Sequence, residues 1–186
     1  MAGTVEAGSP FHRNLGLYSC LTAIKPTSDE GPVNIFWTTI CAEYFPPSAG
    51  YKTAVMQRVL QDDTMPDFAV FKIVLRAGPR RNTNDLHEKQ IFIVECKRPS
   101  KDTPAEWTSA TDQLIHYCEN NVDGSTRILA ATAIGRKVKF WRYDAGTLSP
   151  LSAVLDLSWA AGQNETVQML DYVRTHGWAW NQSGSA

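Results

Sequence analysis

Eight residues at 90–97, QIFIVECK, narrow the fold more than any other part of the chain. The run is rich in β-branched and aromatic residues and is stopped by Arg98-Pro99-Ser100, so it reads as a β-strand. Residues two apart on a strand share a face, which sends Ile91, Ile93, Glu95 and Lys97 one way and Phe92, Val94 and Cys96 the other. The strand thus ends with an acid and an amine as neighbours on one face. Both are costly to desolvate without compensation. Either they pair with each other and with solvent at the strand end, or they belong to a site.

The flanking segments supply partners for this strand. A helix is expected over 33–45, after the turn-like Ser28-Asp29-Glu30-Gly31-Pro32 and before Pro46-Pro47. The β-rich runs 51–60 and 67–75, separated by Gln61-Asp62-Asp63-Thr64, read as two strands or one bent strand, and 76–89 reads as a loop. A helix over 104–121 has Thr103 as N-cap and Pro104 at its first position, with Trp107, Ala110, Leu114, Ile115, Tyr117 and Cys118 on one broad arc. Two strands at 127–134 and 137–143 meet through Gly135, and a last amphipathic helix is expected near 165–176. The order is that of an α/β or α+β three-layer domain, a central mixed β-sheet flanked by helices. With 186 residues, 43% of them apolar, a single domain over 1–186 is expected, with flexible ends near 1–10 and 182–186.

Charge and composition exclude several function classes. The net charge of −1 is not that of a histone-like binder, but the charge is uneven: 76–142 holds 12 basic and 8 acidic side chains, against 5 and 7 over 1–75 and 1 and 4 over 143–186. A phosphate-bearing partner would lie across the middle segment. No apolar run is long enough to span a bilayer and the opening residues lack a signal-peptide pattern, so an intracellular protein, cytoplasmic or nuclear, without membrane contact is expected. Cys20, Cys41, Cys96 and Cys118 are scattered without a C-x-x-C pair, and His12, His87, His116 and His176 lack ligand spacing; reduced thiols and no zinc site follow. There is no phosphate loop, dinucleotide fingerprint or nucleophile elbow to suggest a small-molecule enzyme.

Upstream, Met65-Pro66-Asp67-Phe68 opens a β-rich run, and Asp67 stands 28 residues before Glu95, enough for a strand, a loop and an adjacent strand. Two carboxylates converging there would suit a hard divalent cation, which prefers oxygen ligands. Pro66-Asp67, Glu95-Cys96-Lys97, and Gln113 with Tyr117 on the following helix resemble the PD-(D/E)XK nuclease superfamily, including the Q-x-x-x-Y helix signature found in many members. The resemblance covers roughly residues 33–143 by order of elements.

The resemblance implies a restriction-endonuclease-like core and a metal-dependent nuclease that hydrolyses phosphodiester bonds with an activated water. It makes Asp67 and Glu95 ligands of Mg²⁺ or Mn²⁺, helped by the backbone carbonyl of Cys96, and Lys97 the group that positions the water and offsets charge on the phosphate. Glu43 matches the place of an additional acid on the first helix, with Glu30 as the alternative. Gln113 and Tyr117 would support the site or touch the substrate backbone; for both, helix packing with polar tips is the other reading. Arg98, Lys101, Arg136, Lys137 and Lys139 would hold flanking phosphates. Nucleic acid, DNA rather than RNA, is the expected partner, and a homodimer is an open expectation. The competing reading is a catalytically inactive domain of the same fold that binds nucleic acid or a protein.

Overall fold

The structure, a computed structural model, describes residues 5–75 and 85–185. Among these, five helices and seven strands follow the order α1 (Pro10–Arg13), α2 (Leu15–Ala23), α3 (Gly31–Tyr44), β1 (Tyr51–Val55), β2 (Phe68–Leu75), β3 (Leu86–Lys97), α4 (Pro104–Glu119), β4 (Arg127–Ile134), β5 (Lys137–Asp144), β6 (Thr147–Pro150), β7 (Leu155–Asp156) and α5 (Ala160–Ser183). The strands form one mixed sheet in the order β1-β2-β3-β4-β5-β6, with β7 also paired to β5. Only β3 and β4 run parallel within it, and α4 is the crossover between them. The mixed three-layer α/β architecture expected from the sequence is what the chain adopts.

One sheet face is covered by α1, α2, α3 and α5, whose Phe11, Leu21, Phe36, Trp37, Ile40, Leu170 and Val173 pack on Phe68, Val70, Phe92, Val94 and Cys96. The opposite face is covered by α4, whose Leu114, Tyr117 and Cys118 pack on Ile93, Ile128, Ala130 and Trp141. The α4 start is as expected: Thr103 Oγ1 accepts from the Glu106 N–H and Pro104 occupies the first turn. All four cysteines are free, and three are buried.

The structure corrects the sequence reading in several places. β1 ends at Val55, and the run to Leu60 leaves the sheet, held to the end of α4 by the Leu60–Asn121 bridge. β3 begins at Leu86, so part of the expected loop is strand; 76–84 lie outside the described residues. Ile91 does not share a face with Ile93, because the β2–β3 register shifts between Val70, opposite Phe92, and Phe71, opposite Gln90. The extra residue of this bulge is Ile91, which joins the Phe92 cluster instead. There it meets Gly177 of α5, where an added Cβ would come within 3.0 Å of the Ile91 Cβ.

The last helix is far longer than the expected 165–176, and hydrogen bonds attach described residues near both ends to the rest of the domain. Glu6 N donates to Ser158 O at 3.0 Å, and Phe11 N donates to Gln163 Oε1 at 2.7 Å. At the other end, Thr126 N donates to Gly184 O at 3.0 Å, and Arg127 Nη1 donates to Ser183 Oγ at 3.1 Å. Asn181 Nδ2 reaches Gln90 O at 2.9 Å and Asp123 Oδ2 at 3.1 Å, fastening α5 to β3.

Candidate functional site

Asp67 and Glu95 are brought together by strand register. Phe68 is paired with Val94 in the antiparallel β2–β3 ladder, so the residue before Phe68 falls opposite the residue after Val94. Asp67 is fixed at the mouth of β2 by its own main chain, since Met56 N donates to Asp67 O at 2.9 Å. Its side chain crosses to the neighbouring strand, where Oδ2 accepts from Cys96 N at 2.6 Å. The Glu95 side chain is 3% exposed and faces the Asp67 carboxyl, whose charge it feels.

Lys97 lies two residues on, on the same face. Its Nζ donates to Glu95 Oε1 and, at 3.0 Å, to Gln113 Oε1. Gln113 Nε2 in turn donates to Tyr117 Oη at 2.5 Å. Gln113 and Tyr117 are one helical turn apart on α4, so the helix covering this face delivers a continuous polar chain to the strand end. The five residues Asp67, Glu95, Lys97, Gln113 and Tyr117 therefore form one connected group.

The electrostatics follow from burial and like charge. Burial pushes the Glu95 carboxyl up to about 8, and the nearby Asp67 charge adds to this, against the hydrogen bond and charge of Lys97. Asp67 is also raised by burial, opposed by the Cys96 N–H and Lys97. For Lys97, burial favours the neutral amine, but the hydrogen bond and charge of Glu95, with Asp67 and Glu30, outweigh it and hold the ammonium above its usual range. Burial and the charge of Glu95 push the Tyr117 hydroxyl to about 12.

Of the two candidate acids, Glu30 is the one whose charge couples to Asp67 and Lys97. Glu30 precedes the first turn of α3, and its carboxyl feels the charges of Asp67, Lys97 and Arg98. Burial and Asp67 raise it above the usual glutamate range. Glu43 lies at the other end of the 14-residue α3, where its charge acts on Tyr44 together with Asp171 and Arg174. The choice between them depends on the direction in which α3 meets the sheet, which spacing alone does not give.

The expected phosphate-binding cations are dispersed. Arg98 is exposed beside the group, immediately after β3. Lys101 is paired with Glu106, and Lys137 Nζ is paired with Asp102 Oδ2 at 2.6 Å. Arg136 is engaged by the carbonyl end of α2: its Nε donates to Ile24 O at 3.0 Å and its Nη2 to Thr22 O at 3.5 Å. Lys139 Nζ sits over the Trp141 ring, 4.1 Å from its centroid. The Cys96 thiol is buried in the opposite face, which leaves only its backbone available to the group.

Two features were not foreseen. Thr132 stands beside Glu95 in the β3–β4 ladder and beside Lys139 in the β4–β5 ladder, making one row across the sheet. Asp62 accepts from His116 Nε2 at 2.8 Å and from Thr64 N at 3.0 Å, pinning the β1–β2 connection to α4 beside Tyr117. The parallel register that builds the row is a long-range property with no local sequence signal.

Among the described residues, no group of three or more His, Cys, Asp or Glu side chains is placed to hold a metal ion. The donor chemistry at Asp67 and Glu95 nevertheless suits a hard cation: two facing carboxyl oxygens whose joint ionisation is opposed by burial and by each other. No protein-family model, curated protein or solved structure matches the chain. No helix among the described residues is long and apolar enough to cross a membrane.

Proposed function

We propose that the chain is a metal-dependent nuclease of the PD-(D/E)XK type, hydrolysing phosphodiester bonds of nucleic acid at the Asp67–Glu95–Lys97 group. The observation that carries this reading is the convergence of two buried carboxyls from adjacent strands beside an ammonium that its neighbours keep charged. Asp67 and Glu95, with the Cys96 carbonyl, would hold Mg²⁺ or Mn²⁺. Such an ion offsets phosphate charge and lowers the pKa of a bound water, which is the chemistry in-line hydrolysis needs.

Each side chain then has a defined task. Lys97 supplies a point charge for a phosphate oxygen and for the charge that develops on it. Gln113 holds the Lys97 ammonium, and Tyr117 anchors the Gln113 amide, so the last two act as positioning residues. Arg98 is the exposed cation nearest the group and would take a flanking phosphate. DNA is proposed ahead of RNA, and two subunits would cut both strands only as a homodimer.

The test is incubation of the purified chain with labelled single- and double-stranded DNA and RNA in Mg²⁺, Mn²⁺ or EDTA, beside Lys97→Ala. Cleavage is expected with metal, absent in EDTA, and lower by about 100-fold or more in the variant, the scale for loss of one preorganised charged group. A second reading, a non-catalytic binding domain, is favoured by one observation: the Lys97 ammonium is already engaged by both Glu95 and Gln113. Folded protein that binds nucleic acid and cuts no substrate would establish that second reading.

A further inference from the structure

On the α4 side of the sheet, beyond Thr132, a cleft of about 300 Å³ lies between α4 and β5. Its aromatic walls are Trp107 from the helix and Trp141 from the strand; Lys139 lines it, and Asp112 stands at its exposed rim. Both indoles are held in place. Trp107 Nε1 donates to Asp102 Oδ1 at 2.9 Å, and Trp141 Nε1 donates to Thr132 Oγ1 at 3.1 Å. The Lys139 ammonium is held against the Trp141 ring and makes no ion pair among the described residues, unlike Lys101 and Lys137.

We infer that this cleft is a base-binding subsite for a single-stranded nucleic acid, with one base against Trp107 and its phosphate on Lys139. The strand path rests on the hydrolysis proposed above. Three observations choose this occupant. The volume is at the small end of ligand pockets, roughly 300–1,000 Å³, which suits one planar heterocycle rather than a peptide segment. Indole rings fixed by their own hydrogen bonds make a stacking platform that loses little freedom on binding. The charges are also arranged for a nucleotide: Asp112 repels phosphate and accepts from a base amino group, while Lys139 attracts phosphate.

Position joins the cleft to the carboxyl group. Glu95, Thr132 and Lys139 are successive members of one row across β3, β4 and β5, so Lys139 is two strand spacings, roughly 10 Å, from Glu95. One extended strand can place a phosphate at the carboxyls and a base in the cleft. A duplex cannot insert a base there without unpairing it, so the subsite selects single-stranded or frayed substrate.

The experiment measures binding of a single-stranded oligodeoxynucleotide in EDTA, with one abasic residue moved through successive positions. For the native chain, one abasic position is expected to weaken binding about tenfold, the scale of one base–aromatic stack. Trp107→Ala should weaken the intact oligonucleotide by a similar factor and lose the sensitivity at that position, while Trp107→Phe keeps most of both. Equal melting temperatures of the variants establish that the fold is kept. The subsite is overturned if Trp107→Ala binds intact and abasic strands as the native chain does, or if the folded chain binds no oligonucleotide. Cleavage in Mg²⁺, read separately, tells the two proposals apart. Cutting that is indifferent to Trp107 removes the subsite and leaves hydrolysis, whereas Trp107-dependent, base-sensitive binding without cutting supports the subsite and removes hydrolysis.

Discussion

Glu95 keeps its proton in a range where an exposed glutamate has lost it, because burial and the facing Asp67 both oppose its charge. Its folded pKa of about 8 stands above the ordinary 4.5, so within that window the folded chain holds a proton that the unfolded chain has released. Stability contributed in this way is full below the window and is lost as pH rises through it. Asp67 and Glu30, both raised, act with the same sign. In EDTA the unfolding free energy is expected to fall with pH by at most about 1.36 kcal/mol per unit for the Glu95 proton, and Glu95→Gln should flatten the curve. Denaturant titrations at a series of pH values check this, and an unchanged slope in the variant would refute it. The convergence of these side chains was legible in the sequence: the spacing from Asp67 to Glu95 leaves room for adjacent strands, alternation puts Lys97 beside Glu95, and one helical turn separates Gln113 from Tyr117. The third acid was not legible, since Glu30 and Glu43 bracket the same helix and only the way α3 meets the sheet separates them.

Among the elements, the expected bounds lie closest to the observed ones for α4, β4 and β5, where a capped amphipathic helix and two apolar runs joined through Gly135 leave little choice. Helix α5 was under-read because its buried face carries Gln163, Thr166, Gly177 and Asn181, which interrupt the apolar stripe that marks a helix. α1 and α2 are short, and together they bury only Phe11, Leu17 and Leu21 within the helices. The β2–β3 bulge carries no sequence signal, yet it decides which core Ile91 joins. Arg136 shows the same limit for charge. Sequence places it in the basic middle segment, while the fold spends its guanidinium on the carbonyls of Thr22 and Ile24. Arg136→Ala is thus expected to lower the unfolding free energy by about 1.5–3 kcal/mol, the range for hydrogen bonds to a charged group, and to leave oligonucleotide affinity unchanged. Parallel denaturation and binding measurements on the variant separate the two effects; a loss of affinity with unchanged stability would return Arg136 to the substrate path.

Over the whole molecule, the net charge of −1 means that attraction to a polyanion comes from placement of a few cations rather than from the overall field. Lys101 and Lys137 are engaged by Glu106 and Asp102, and Arg136 by the carbonyls of α2. Lys97, Arg98 and Lys139 are the proposed phosphate contacts. For a single strand each neutralised phosphate contributes about −0.7 to the slope of log K against log salt, so a slope of about −2.1 is expected. A slope several times steeper would show that further cations engage, the first candidates being Arg76, Arg80 and Arg81, which lie outside the described residues.

The hydrogen bond from Phe11 N to Gln163 Oε1 joins residues 152 positions apart. On the ribosome, where roughly 5–20 residues are added each second, Phe11 emerges about 8 to 30 seconds before its partner is made. The hairpins of β1 to β3 and the β3–α4–β4 crossover can assemble in that interval, and α2 can pack on α3, whereas the hydrogen bond that ties α1 to α5 waits until α5 has left the tunnel. The clasp between the two ends of the described chain is therefore closed last.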